Sequence, residues 1–343
     1  MSSDRKRPTL KEVAKEAGVS LGMASRVLSE YGYFSDSTRA KVVRAANELD
    51  YRPNAVARSL RKGRTKALGI LISNIVSHHW TTFVRGVEEA ASKQGYRVIL
   101  GNTNDDAELE RAYLKALYER NVDGIIITPS PDNHDELRKL ARGGVPMVLI
   151  DSNIADLKVP RINIDNHGGA CEATGYLIGL GHRRIGLVAG SLDLASGVDR
   201  LRGYLDALKD SAVKVDRELI VFGDYQYDKA YQATKTLISL ETPPTALLVC
   251  NELMTGAALQ CLKDSRIAIP DEISLVAFDD PAWTSFFNPA LTAIRTPRHY
   301  IGTLAFETLR SAIVEPGGEA VADKERILET ELIIRESCRS LHR

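Results

Sequence analysis

The chain of 343 residues is long enough for one or two hydrophobic cores plus a small extra domain, and its 45 lysines and arginines balance 45 acidic residues. That balance hides an asymmetry: residues 1–66 hold 15 basic and 7 acidic side chains, net +8, which leaves −8 on the remainder. A basic head on an acidic body directs the head, and not the body, at nucleic acid. Cys171, Cys250, Cys261 and Cys338 are far apart and lack metal-ligand spacing, and no apolar run reaches signal or membrane-spanning length. The expectation is a cytoplasmic protein with free thiols, no cofactor and no metal.

Residues 1–8 are polar and basic and read as an arm. Thr9-Leu10-Lys11-Glu12 has the pattern of a capping box, in which the Thr hydroxyl and the Glu carboxylate satisfy each other's orphan backbone donors. Leu10, Val13, Ala14 and Ala17 then recur at helical spacing until Gly18. Ser20 caps a second helix with Leu21, Ala24, Val27 and Leu28 on its inner face, and a third runs from about Ser37 to Asp50 on Val42, Ala45, Ala46 and Leu49. Two short helices joined by a tight turn and braced by a third form a helix-turn-helix. Ala17 and Gly18 are expected to let the first two helices cross closely. Ser20 faces a phosphate or base edge in this reading, with Ser25 and Arg26 a turn later.

Tyr51 to Arg64, YRPNAVARSLRKGR, separates head from body. Asn54 is a helix N-cap signal and Gly63 a stop, so Ala55 to Leu60 form about two turns, too few to be stable alone. Arg52, Arg58, Arg61, Lys62 and Arg64 suit a polyanion, and Val56 and Leu60 suit a second surface or a wedge. A solvated basic linker is the other reading of the same residues.

Beyond Lys66, continuous β-branched runs of strand length alternate with helical stripes. The predicted strands are 67–72, 96–100, 123–128, 145–150, 184–190, 245–250 and 273–278. Helices are expected near 79–94, 106–120, 134–142, 167–180, 200–210, 226–240 and 253–263. The implied architecture is an α/β core of two doubly wound parallel-sheet subdomains beside each other, with a cleft at the strand C-termini, plus an all-α head. The expected boundaries are 1–53 for the head, 54–64 for a hinge helix and linker, and 65–343 for the core. Within the core, about 65–163 with 295–323 make one subdomain, and about 164–294 with 324–341 the other.

Ser73, Asp151, Asn251 and Asp279 follow four of the strands, and Thr128 ends a fifth. Arg200 lies at the start of a helix as a bidentate cation, Ser196 just before it is a further candidate, and Trp80 and Tyr225 supply flat faces. Carboxylate, amide and guanidinium around an aromatic wall suit the hydroxyls and C–H face of a sugar ring. His78-His79 is the sole histidine pair, but neighbours on a helix diverge by about 100°, which disfavours joint metal binding. No hydrolase, P-loop or dinucleotide motif stands in the required context, so an enzyme carrying a DNA-binding head is disfavoured.

TLKEVAKEAGVS, ASRVL, TRAKVVRAANELDYRPN and AVARSL resemble the DNA-binding head of the lactose-repressor (LacI-type) transcription regulators, and the resemblance extends along nearly the whole chain. It implies a periplasmic-binding-protein-like core and a homodimer on a palindromic operator. Thr9, Leu10, Ser20, Leu21, Gly22, Ser25, Arg26, Tyr51, Asn54, Ala57 and Arg58 would meet DNA, and Leu60 of a symmetric pair of hinge helices would wedge into the minor groove. It also implies that Trp80, Asp151, Arg200, Tyr225, Asn251 and Asp279 line an effector site, where a small carbohydrate relieves repression; the alternative is a corepressor, a purine or other metabolite. Two departures stand out: Leu21-Gly22-Met23-Ala24 replaces the usual polar residues and Thr-Val of the recognition helix, and Glu252 replaces an Asp at the pocket rim.

Overall fold

The computed structural model describes residues 8–51, 64–152, 154, 156–315 and 325–342. Asn54, Ala57, Arg58 and Leu60, with nearly all of the expected hinge helix, lie outside these. The chain divides into two compact units at Thr65 and Lys66.

In the head, α1 (Leu10–Glu16), α2 (Leu21–Leu28) and α3 (Asp36–Glu48) enclose Val13, Ala14, Ala17, Ala24, Val27, Val42, Ala45 and Ala46. The capping box is complete: Thr9 N–H donates to Glu12 Oε2 at 2.6 Å, and Glu12 N–H donates to Thr9 Oγ1 at 3.4 Å. The third helix starts one residue earlier than expected because Ser35, not Ser37, is its cap. Of the two roles its sequence suggests for Gly18, the structure bears out the helix stop and not the close crossing. A Cβ there would meet nothing within 4 Å, so no close crossing requires the glycine; its φ of +66° does.

In the core, one six-stranded sheet has the order β11-β5-β4-β3-β1-β2, built from β1 (Ala67–Ile72), β2 (Arg97–Asn102), β3 (Gly124–Ile127), β4 (Met147–Ile150), β5 (Arg161–Ile164) and β11 (Glu325–Leu328). All its pairings are parallel. The second has the order β12-β10-β9-β8-β6-β7, from β6 (Ile185–Ala189), β7 (Ile220–Phe222), β8 (Ala246–Val249), β9 (Ser274–Phe278), β10 (Thr292–Arg295) and β12 (Glu331–Ile333). Only β12 runs antiparallel there. β1, β3, β4, β6, β8 and β9 are almost wholly buried, as parallel strands with both faces covered must be.

The helices of the first subdomain are α4 (His78–Lys93), α5 (Ala107–Glu119) and α6 (His134–Arg142). Those of the second are α7 (Asn166–Gly179), α8 (Ala195–Asp210), α9 (Tyr227–Ile238), α10 (Glu252–Asp264) and the short α11 (Trp283–Phe286). The sequence reading missed α12 (Arg298–Val314), which returns to the first sheet and packs on α4. The two backbones touch: a Cβ on Gly86 would lie 2.1 Å from the His299 carbonyl oxygen, and one on Gly302 would lie 2.2 Å from that of Phe83. The last crossing between subdomains also falls later than expected. Glu325–Leu328 pairs in parallel with β5, so the chain changes sheets after Leu328 and not at 324.

Candidate functional site

On the head, Ser20 Oγ accepts the Met23 N–H at 3.2 Å, which caps the recognition helix α2 and places the hydroxyl at its exposed start. Leu21 is 48% exposed, Gly22 borders open space and Arg26 is exposed, its Nε donating to the Gly22 carbonyl at 3.4 Å. Thr9 is exposed and Ser25 half-buried. Leu10 and Tyr51 pack against the head's own core, so part of each side chain serves the fold. The face offers one cation, a hydroxyl and an apolar tip, a set that can fork onto guanine or phosphate and touch a thymine methyl.

In the core, the structure gathers Ser73, Trp80, Thr128, Asp151, Ser196, Arg200, Tyr225, Asn251 and Asp279 into one cleft of about 720 Å³, mouth included. The strand orders explain the convergence. In both sheets the first strand, β1 or β6, lies between the second and third, and ligands of doubly wound sheets bind beyond the strand ends at that switch point. Asp151 and Asp279 follow β4 and β9 with φ of +50° and +78°, a left-handed backbone that Asp tolerates better than most residues.

Arg200 is 3% exposed, and its guanidinium lies 3.7 Å from the centre of the Phe278 ring. Its Nε donates to Asn166 Oδ1 at 2.8 Å and its Nη1 donates to the Cys250 carbonyl. Asn251 Oδ1 accepts the Met254 N–H at 2.8 Å, capping α10. Tyr225 Oη and Ser196 Oγ are 3.0 Å apart, and burial pushes the phenol up to about 12. On the other wall Arg298 Nη1 donates to Asp151 Oδ2 at 2.8 Å. Burial pushes the Asp151 carboxyl up, but the charges of Arg298 and His79 outweigh it and hold the group at about 2. Burial acts on Asp279 in the same sense and is likewise overcome, first by His79 and then by Arg200 and Arg298, so its carboxyl is also held below the usual range. The cleft therefore presents two ionised carboxylates, one from each sheet, with a fixed guanidinium behind them.

Trp80 differs from expectation. It lines the cleft but is only 8% exposed, standing edge-on between His79 at 4.9 Å and Phe83 at 5.8 Å, and so offers little open face for stacking. The sequence reading also missed His79 and Arg298. Beside His78, the sequence position of His79 suggests only a metal ligand, yet its Nδ1 lies 2.9 Å from Asp279 Oδ1, two hundred residues away. No local signal marks such a contact. Glu252, the departure at the rim, accepts the His79 backbone N–H at 3.3 Å and the Trp283 indole N–H at 3.4 Å.

A helix-turn-helix head with a cation on its recognition helix, joined to a two-sheet core enclosing a polar cleft, defines a DNA-binding regulator with a small-molecule-binding type of core. The family model described as bacterial regulatory proteins, lacI family, matches residues 9–54. That of periplasmic binding proteins and sugar binding domain of LacI family matches residues 65–336. The chain belongs to the lacI family and is a DNA-binding transcriptional repressor, not an enzyme. It is 34% identical over 313 residues to the HTH-type transcriptional repressor PurR of Vibrio atlanticus (strain LGP32), covering 91% of this chain and 93% of the relative. It is 31% identical over 333 residues to CytR of Escherichia coli (strain K12), covering 97% of each. Among solved structures, the lac repressor dimer bound to operator and the anti-inducer ONPF superposes with a TM-score of 0.86 at 27% identity, over 98% of this chain and all of that one. The transcriptional regulator CelR–cellobiose complex gives 0.72 at 31% identity, over 96% and 100%.

Proposed function

We propose that this repressor acts as a homodimer on a palindromic operator and that a small uncharged carbohydrate, bound between the two core subdomains, relieves repression. One observation carries the effector class: two ionised carboxylates from opposite sheets face a cleft whose guanidinium is already committed to Asn166, Cys250 and Phe278. Such a site offers acceptors for hydroxyl groups, and the guanidinium that lines it, Arg200, already donates to Asn166 and the Cys250 carbonyl. The complex of CelR with cellobiose, at 31% identity, supports the sugar reading. The lac repressor dimer on its operator supports the two-fold assembly, since one recognition helix reads only half a site. Ligand in the cleft changes the angle between subdomains and hence the spacing of two hinge segments. Leu60, outside the described residues, is proposed as the minor-groove wedge; Leu60→Ala should weaken operator binding far more than non-specific binding.

The test is thermal unfolding of the full chain against mono- and disaccharides, sugar phosphates and purines. A ligand at a hundred times its dissociation constant adds about 2.7 kcal/mol. Free sugars should register and their phosphates should not; stabilisation by a purine alone would replace the carbohydrate with a corepressor.

A further inference from the structure

We propose that His79 is the positioning residue of the effector cleft: its imidazolium clasps the two subdomains by standing between Asp151 and Asp279, so that closure depends on its protonation. This rests on the cleft being the effector site. His79 belongs to α4 of the first subdomain, and its ring lies 2.9 Å from Asp279 Oδ1 of the second and 3.9 Å from Asp151 Oδ2 of its own. Its backbone N–H reaches Glu252 of the second subdomain as well. Side chain and backbone of one residue thus tie the first subdomain to the second at two points, and the side chain is only 9% exposed.

The charges around it explain why a cation belongs there. Asp151 closes β4, Asp279 closes β9, Glu252 opens α10, and Asp105 lines the same cleft, all acidic. Against them stand Arg298, bonded to Asp151, and Arg200, held by Asn166 and Cys250. Closing the cleft brings the Asp151 and Asp279 carboxylates towards each other, and like charges in a dry site repel. An imidazolium between them turns the repulsion into two attractions; a neutral ring can serve only one carboxylate, by a single N–H bond. The closed form is therefore favoured with the ring protonated and lost when it is neutral, with the closed-to-open ratio changing by up to about tenfold per pH unit for one coupled proton.

The clasp carries its own reporters. Of the two tryptophans, Trp80 meets the His79 ring edge-on at 4.9 Å, and Trp283 bonds the Glu252 carboxylate that takes the His79 N–H. The experiment is tryptophan fluorescence and small-angle scattering of the ligand-free full chain between about pH 5 and 9. The wild type should show one transition in both signals, with the radius of gyration growing as pH rises. H79Q should stay expanded and featureless. D279N, which removes a partner charge and leaves the ring, should lose most of the transition and supplies the test if H79Q fails to fold. The same transition in either variant, or a fluorescence change at constant radius, would overturn the clasp. No effector enters the measurement, so its failure leaves the effector reading untouched, and a failed ligand screen leaves the clasp testable.

Discussion

On the second-sheet side of the cleft, Arg200 donates to Asn166 and Cys250, Asn251 caps α10, and Tyr225 pairs with Ser196. On the first-sheet side, Thr128 Oγ1, Asp151 Oδ1 and Arg298 Nε and Nη2 are buried and have no hydrogen-bond partner among the described residues. The two walls come from sheets of matching strand order, yet one is closed upon itself and the other holds polar groups in reserve. Each buried unmet donor or acceptor costs about 1–3 kcal/mol, a cost that a ligand hydroxyl, both donor and acceptor, removes. The contrast assigns preorganisation to the second wall and unmet hydrogen-bonding capacity to the first.

The contrast can be broken by substitution, and the largest effect belongs to Arg200. Arg200→Ala strands Asn166 and the Cys250 carbonyl and deletes the cation over Phe278; urea unfolding should show a loss of about 3 kcal/mol, and the effector response should vanish. Wild-type stability with a normal response would show that the second wall is not preorganised by this residue.

The next effect is in pH. The folded Asp151 carboxyl sits at about 2 against an ordinary 3.8, so as pH falls the unfolded chain takes up the proton first. Its contribution is complete above about pH 4 and declines towards pH 2, a loss of about 2 kcal/mol, which Arg298→Met should largely abolish. Acid unfolding curves of wild type and variant that run parallel would refute the pairing.

Asn251→Ala should cost about 1 kcal/mol through its lost cap on α10, read as a shift in urea midpoint at constant slope. Thr128→Val is the smallest and the sharpest, because its sign is opposite. Removing an unpartnered buried hydroxyl should leave stability unchanged or raise it by up to about 1 kcal/mol, while effector affinity falls several-fold in a calorimetric titration. Destabilisation comparable to Asn251→Ala would mean that both walls are built alike.

Much of this arrangement is legible in the chain because buried parallel strands read as continuous apolar runs. The seven runs beginning with ALGILI correspond to β1–β4, β6, β8 and β9, and the polar residues after them face the cleft. β5, β10, β11 and β12 escaped notice because RINI, TAIR, ERIL and ELI break their few apolar residues with charged or polar ones, and β7 because IVF is only three residues long. α12 escaped because it starts at Pro297 without a side-chain cap and buries apolar residues on several faces, so that no stripe stands out. Arg298 and His79 could not be found locally: each acquires its meaning from a carboxylate 147 or 200 positions away. Gly18 carries two readings, a helix stop and a close crossing, and only the stop holds, since a glycine looks the same whether space or backbone angle demands it.

If occupancy of this cleft sets operator affinity, fluorescence anisotropy of a labelled palindromic operator titrated with the full chain reads it directly. The titration is repeated with the sugar that raises thermal stability most, at fixed salt because phosphate contacts are salt-steep. The sugar should weaken operator binding 5- to 150-fold, about 1–3 kcal/mol of coupling, and have no such effect in Asp279→Ala. A sugar that stabilises the protein yet leaves the operator dissociation constant unchanged would contradict control of the operator through this cleft.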